Sequence, residues 1–188
     1  MRIVLALIIG TMMTLIGGAE GAVAGEAAHA KISDFFGSYV GQTDQDIVKG
    51  VPERDASVVI KPSGKSNFTV SWKTVIRRTS GKKPKITSNS ITFYPNAKRA
   101  GIYASAMKRN IFGHMTPLNP LSGDPYVWAS LRGKTLTVWS LHIIDGGGYE
   151  IGTYKRTLID VGLQLRFERV RNGKTMKLIT ATLKKTDK

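Results

Sequence analysis

Residues 67–76 read Asn-Phe-Thr-Val-Ser-Trp-Lys-Thr-Val-Ile, NFTVSWKTVI. Phe68, Val70, Trp72, Thr74 and Ile76 fall on one face of an extended chain, and Thr69, Ser71 and Lys73 fall on the other. This is the period of two that a half-buried β-strand requires, and it fits no helix. Residues 162–170, GLQLRFERV, repeat the pattern with Leu163, Leu165 and Phe167 against Gln164, Arg166 and Glu168. Outward from these two segments the chain keeps the same character. LTVWSLHII, YEIGTYKRTLI and KLITATLKK are rich in β-branched and aromatic residues, and their breaks fall on Gly, Asn, Asp and Pro.

This patterning predicts about ten strands: Gly37–Thr43, Ala56–Lys61, Phe68–Arg78, Ile86–Tyr94, Gly101–Lys108, Tyr126–Arg132, Thr135–Ile143, Tyr149–Leu158, Val161–Val170 and Thr175–Lys184. Most are joined by short turns, so the natural topology is an antiparallel meander. Closing the meander removes exposed edges that invite aggregation. The expectation is therefore an all-β protein, a single antiparallel up-and-down β-barrel of about 8–10 strands. Ile32–Phe36 is expected to form a short helical turn before it.

Gly-Lys-Ser/Thr occurs at residues 64–66, 133–135 and 173–175 and superficially suggests phosphate loops. A nucleotide loop needs a glycine five positions earlier and a helix afterwards. Those earlier positions hold Val59, Trp128 and Glu168, and a strand follows each copy. All three are expected to be two-residue hairpin turns, type I′ at Asn172-Gly173 and type II′ at Gly133-Lys134.

The 188-residue chain opens with Arg2, an apolar run from Ile3 to Ile16, and small residues ending in Ala22-Val23-Ala24. That is the form of a secretory signal peptide over residues 1–24, with Ala28-His29-Ala30 as a second cleavage pattern. The run is shorter than the roughly 20 residues of a membrane-spanning helix. Removing 24 residues from 188 leaves 164, one domain's worth, organised as a lead-in at 25–36 and a barrel at 37–188. The expected location is periplasmic or secreted, with no transmembrane segment in the mature protein. Cysteine is absent, so there is neither a disulfide framework nor a lipid-bearing thiol.

The net charge is +15, and signal removal leaves it unchanged because one Arg and one Glu are lost together. Such a balance points to an anionic partner. Export argues against nucleic acid and towards anionic lipid or an acidic envelope polymer. Arg77, Arg78, Lys82, Lys83 and Lys85 concentrate charge in one segment, RRTSGKKPK, and form the candidate anion-binding set.

No spacing of His, Asp or Glu suits metal ligation or acid–base catalysis, and no cofactor motif is present, so a non-enzymatic protein without cofactor or metal is expected. Ser140 and His142 share a strand face at about 7 Å spacing, which gives no nucleophile–base geometry with Asp145. The connection 109–125 is long and apolar, with Ile111, Phe112, His114, Met115 and Leu118, as expected of a segment that covers something. The candidate ligand-binding set is Phe68, Trp72, Phe112, His114, Met115, Trp128, Leu165 and Phe167.

The segment DFFGSYVGQ resembles the opening of lipocalins and the wider calycin group, where a short helical turn leads into Gly-x-Trp and a long first loop. Here Gly37-Ser38-Tyr39 has Tyr in place of Trp, and residues 41–56 stand for the loop. The resemblance implies a calycin-like barrel whose interior binds a small hydrophobic or amphipathic, lipid-like ligand. It also implies a late-strand cation packed on the aromatic, for which Arg166 and Arg169 are candidates. The alternative is a filled, basic, non-catalytic module that docks anionic envelope components or an acidic protein.

Overall fold

In the computed structural model, residues 30–46, 54–76, 83–105, 107–109 and 115–186 are described. The barrel strands are β1 (Gly37–Asp46), β2 (Arg54–Ser63), β3 (Asn67–Ile76), β4 (Lys85–Pro95) and β5 (Ile102–Ala104) in the first half. A small hairpin follows, β6 (Met107–Arg109) with β7 (Met115–Pro117), forming its own two-stranded sheet. The second half comprises β8 (Tyr126–Arg132), β9 (Thr135–Ile143), β10 (Tyr149–Ile159), β11 (Gly162–Arg171) and β12 (Lys174–Thr186). Ten strands thus form a closed antiparallel meander, with β1 paired to β12. Val40 lies opposite Lys184 and Ser38 opposite Thr186, whose hydroxyl donates to the Ser38 carbonyl at 3.1 Å.

The expected barrel is present, with two differences in detail. The single strand expected at Gly101–Lys108 is two, because the chain leaves the barrel after Ala104 and pairs Met107–Arg109 with Met115–Pro117 instead. The turn at Gly64 spans three residues, since β2 ends at Ser63 and β3 begins at Asn67. The other two glycine turns have the expected backbone. Asn172 and Gly173 both take positive φ, 47° and 78°, as type I′ demands, whereas only Gly133 does so in the Gly133-Lys134 pair.

Strand alternation sorts the interior. Tyr39, Val58, Ile60, Phe68, Val70, Phe93, Ala129, Leu136, Val138, Leu163 and Leu183 point inward and are almost wholly buried. These residues concentrate at the end of the barrel where the β2–β3, β4–β5, β8–β9 and β10–β11 turns lie. That end is filled. A one-turn 3-10 helix, Ile32–Phe35, places Phe35 into it, and the Tyr39 hydroxyl donates to the Phe35 carbonyl at 2.9 Å. Phe68 stacks on Phe93 at 5.2 Å and meets Tyr103 edge-on at 4.9 Å. Each buried aromatic of this kind contributes up to about 3 kcal/mol through burial. The late-strand cation over the Tyr39 ring is Lys185, 5.9 Å from its centre, in place of Arg166 or Arg169. Arg166 faces outward, and Arg169 lies at the other end of the barrel.

At that other end two register shifts interrupt the β12 ladders. One falls between Thr43 and Asp46 of β1, the other between Arg169 and Val170 of β11. Bulges bend strands locally and re-aim side chains. Among the described residues, the end they reshape encloses a cavity instead of a packed core.

Candidate functional site

The open end holds a cavity of about 410 Å³. That volume lies within the range of small-molecule sites. Its apolar walls come from inward positions of five strands: Val58 of β2, Trp72 and Ile76 of β3, Tyr154 of β10, Leu165 and Phe167 of β11, and Ile179 of β12. Tyr154 stacks on Phe167 at 4.5 Å and meets Trp72 at 5.5 Å. In the ring of ten strands β3 and β10 stand five places apart, so the Trp72–Tyr154 contact bridges the barrel diametrically.

The polar lining is cationic. Arg54, Lys85, Arg156, Arg169 and Lys177 line the cavity together with Lys73, Thr43, Thr74, Thr87 and Asn89. No carboxylate lines it among the described residues. Near the mouth Glu150 holds Arg169, Nε to Oε1 at 3.3 Å, and Arg171, Nη2 to Oε2 at 2.8 Å. Arg156 lies deeper, two residues beyond Tyr154 along β10, and only 1% of it is exposed. Its guanidinium carbon sits 5.8 Å from the Trp72 ring centre and 5.6 Å from that of Tyr154. Its Nε and Nη1 have no hydrogen-bond partner. Burial pushes the guanidinium down to about 10, which leaves it charged at neutral pH.

The sequence-derived residues divide among several places. Trp72, Leu165 and Phe167 do line the cavity, and Lys85 stands at its mouth. Phe68 shares the inward parity of Trp72 but belongs to the filled end and is fully buried there. Trp128 is corrected outright: its neighbours Val127 and Ala129 are the buried, inward residues, so strand alternation turns the indole outside. There it stacks on Trp139 at 5.5 Å and lines a groove with Arg132, Thr135, Thr137 and Lys155. Met115 belongs to β7 of the separate hairpin, and Phe112 and His114 lie outside the described residues. Lys83 is exposed next to β4, whereas Arg77, Arg78 and Lys82 lie outside the described residues, as does the signal-like segment 1–24.

Sequence reasoning missed Tyr154 and Arg156. The segment Tyr154-Lys155-Arg156 carried a usable signal, because adjacent residues of a strand face opposite ways and two consecutive cations cannot both face water. Lys155 takes the outer face and is exposed; Arg156 takes the inner one. No known family profile matches this chain, and no curated protein matches it in sequence.

Proposed function

We propose that this protein is an exported, non-catalytic barrel that binds a small amphipathic ligand in the cavity at its open end. The observation that carries this reading is the asymmetry of the interior. Phe35, Tyr39, Phe68 and Phe93 pack one end solid, while Trp72, Tyr154 and Phe167 wall a space of about 410 Å³ at the other. Apolar walls with a few convergent polar groups are the usual composition of a small-molecule site. The signal-like residues 1–24 support export to the periplasm or the medium.

Native mass spectrometry of the protein purified from its own host tests the binding. A bound species of small-molecule mass, released by organic solvent, is the expected result. A protein that is free of ligand and takes up no amphiphile when challenged would refute the reading. Amino-terminal sequencing of the exported form should begin at Gly25.

A second reading, docking of an anionic envelope polymer, draws on exposed cations at the same end of the barrel, Lys83 just before β4, Lys85 at its start, and Arg171 and Lys174 at the β11–β12 turn. The two differ in their response to salt. Docking carried by exposed charges weakens steeply as ionic strength rises, whereas binding in a walled cavity does so much less.

A further inference from the structure

Arg156 is a charge buried inside a barrel, and its immediate surroundings do not neutralise it. Only 1% of the residue is exposed, and neither Nε nor Nη1 has a hydrogen-bond partner. Cross-strand neighbours give no relief, since Arg156 lies opposite Leu136 on one side and Leu165 on the other. Trp72 and Tyr154 offer ring faces at 5.8 and 5.6 Å. Cation–π contacts offset part of a desolvation cost, but they do not occupy the N–H donors of the guanidinium edge. Arg156 lines the cavity, and the other ionisable groups that do so among the described residues are Tyr154 and the cations Arg54, Lys73, Lys85, Arg169 and Lys177.

We infer that the ligand is an organic carboxylate, bound head-first, with its carboxylate paired to Arg156 and its apolar body between Trp72, Tyr154 and Phe167. The inference rests on the cavity being the ligand site. A guanidinium presents paired N–H groups in a fork that matches a carboxylate, and the pairing is strongest where water is excluded. The aromatic walls accept a hydrocarbon chain or a flat ring. Lys85, nearer the mouth and exposed, raises the local concentration of anions and disfavours cationic amphiphiles. A neutral lipid would leave Nε and Nη1 of Arg156 as they stand, still without an acceptor.

The test uses three chains of equal length, decanoate, decanol and decyltrimethylammonium, titrated calorimetrically into the whole mature protein. Decanoate should bind about 10- to 100-fold more tightly than decanol, the range of a charge-assisted hydrogen bond, and the ammonium compound should bind more weakly than either. Arg156→Met should bring decanoate down to the level of decanol while decanol binding persists. Lys85→Gln should lower decanoate affinity only slightly, and less so as salt rises.

Equal affinity of the wild-type protein for decanoate and decanol overturns the inference but leaves the amphiphile site standing. A preference that survives Arg156→Met does the same. If none of the three compounds binds, the cavity reading fails and takes this inference with it. A wild-type measurement guards against a variant that does not fold. The carboxyl carbon of bound [1-13C]decanoate should titrate below the ordinary carboxylate range, because a buried guanidinium favours the ionised head. Titration at or above that range overturns the pairing.

Discussion

The guanidinium of Arg156 lies 5.8 Å from the centre of the Trp72 ring, on the opposite wall of the barrel. The pair spans the interior from β10 to β3 and places a charge against an aromatic face where water is nearly excluded.

The ligand-free protein should therefore gain stability when that charge is removed. Arg156→Met keeps most of the volume and removes the desolvation cost, so urea unfolding should show a gain of about 1–4 kcal/mol. The gain depends on pH in a defined sense. The folded-state value is depressed to about 10, below the ordinary arginine value, so the cost applies in full below pH 10 and is relieved as pH rises above it. The difference between wild type and Arg156→Met should be flat at neutral pH and shrink above 10.

Tryptophan fluorescence should separate the two faces of the barrel. Trp72 lines the cavity, whereas Trp128 and Trp139 stack outside it. Quenching by a bound amphiphile should vanish in Trp72→Phe and persist in Trp128→Phe. Trp72→Phe should also weaken binding several-fold, and Trp128→Phe should leave it unchanged.

Alkaline titration reports on burial directly. Burial raises the phenols of Tyr39, Tyr103 and Tyr154 above the ordinary value of 10. Arg156 and Arg169 oppose the shift at Tyr154, so Arg156→Met should raise that phenol further. A phenol raised in the folded state adds stability in full below pH 10, and that contribution is lost as pH climbs through the folded value. Absorbance at about 295 nm should show a late-ionising fraction that falls in Tyr154→Phe.

Barrel closure should be sensitive at Gly41. A Cβ there would run into the Thr182 carbonyl oxygen of β12, on the strand pair that shuts the ring. Gly41→Ala should cost about 1–3 kcal/mol or more, as overpacking does, measured by urea unfolding. The same pair is anchored by Tyr39. Tyr39→Phe leaves the buried Phe35 carbonyl without its donor and should cost about 1–2 kcal/mol.

The fold was legible because its information is local. Period-two segments such as Phe68–Ile76 mark a strand and its buried face without reference to anything distant, and Asn172-Gly173 names its own turn. The site was only half legible. Trp72, Leu165 and Phe167 followed from parity, but parity does not say how deep along a strand a residue sits, and so Phe68 in the filled end looked like Trp72 in the open one. Trp128 was misplaced by size: the indole outweighed Ser130 and Arg132, which share its face and mark it as the outer one. Arg156 was hidden by composition, since Glu150, Gly152, Tyr154, Arg156 and Leu158 make an inner face of mixed chemistry. The separate hairpin of β6 and β7 was beyond reach because strands of three residues carry too few alternations to register.

The pairing of β1 with β12 also governs how the molecule comes into being. Ser38 and Thr186 are joined across 148 residues of chain, and the other barrel ladders form between near neighbours in sequence. Hairpins can zip early and independently, but the last seam carries the loop-closure entropy of nearly the whole chain. Until it forms, β1 and β12 are the two edges of an open, curling sheet. Refolding from urea is therefore expected to be rate-limited by this seam, with strand content returning before the ring shuts and before the cavity exists.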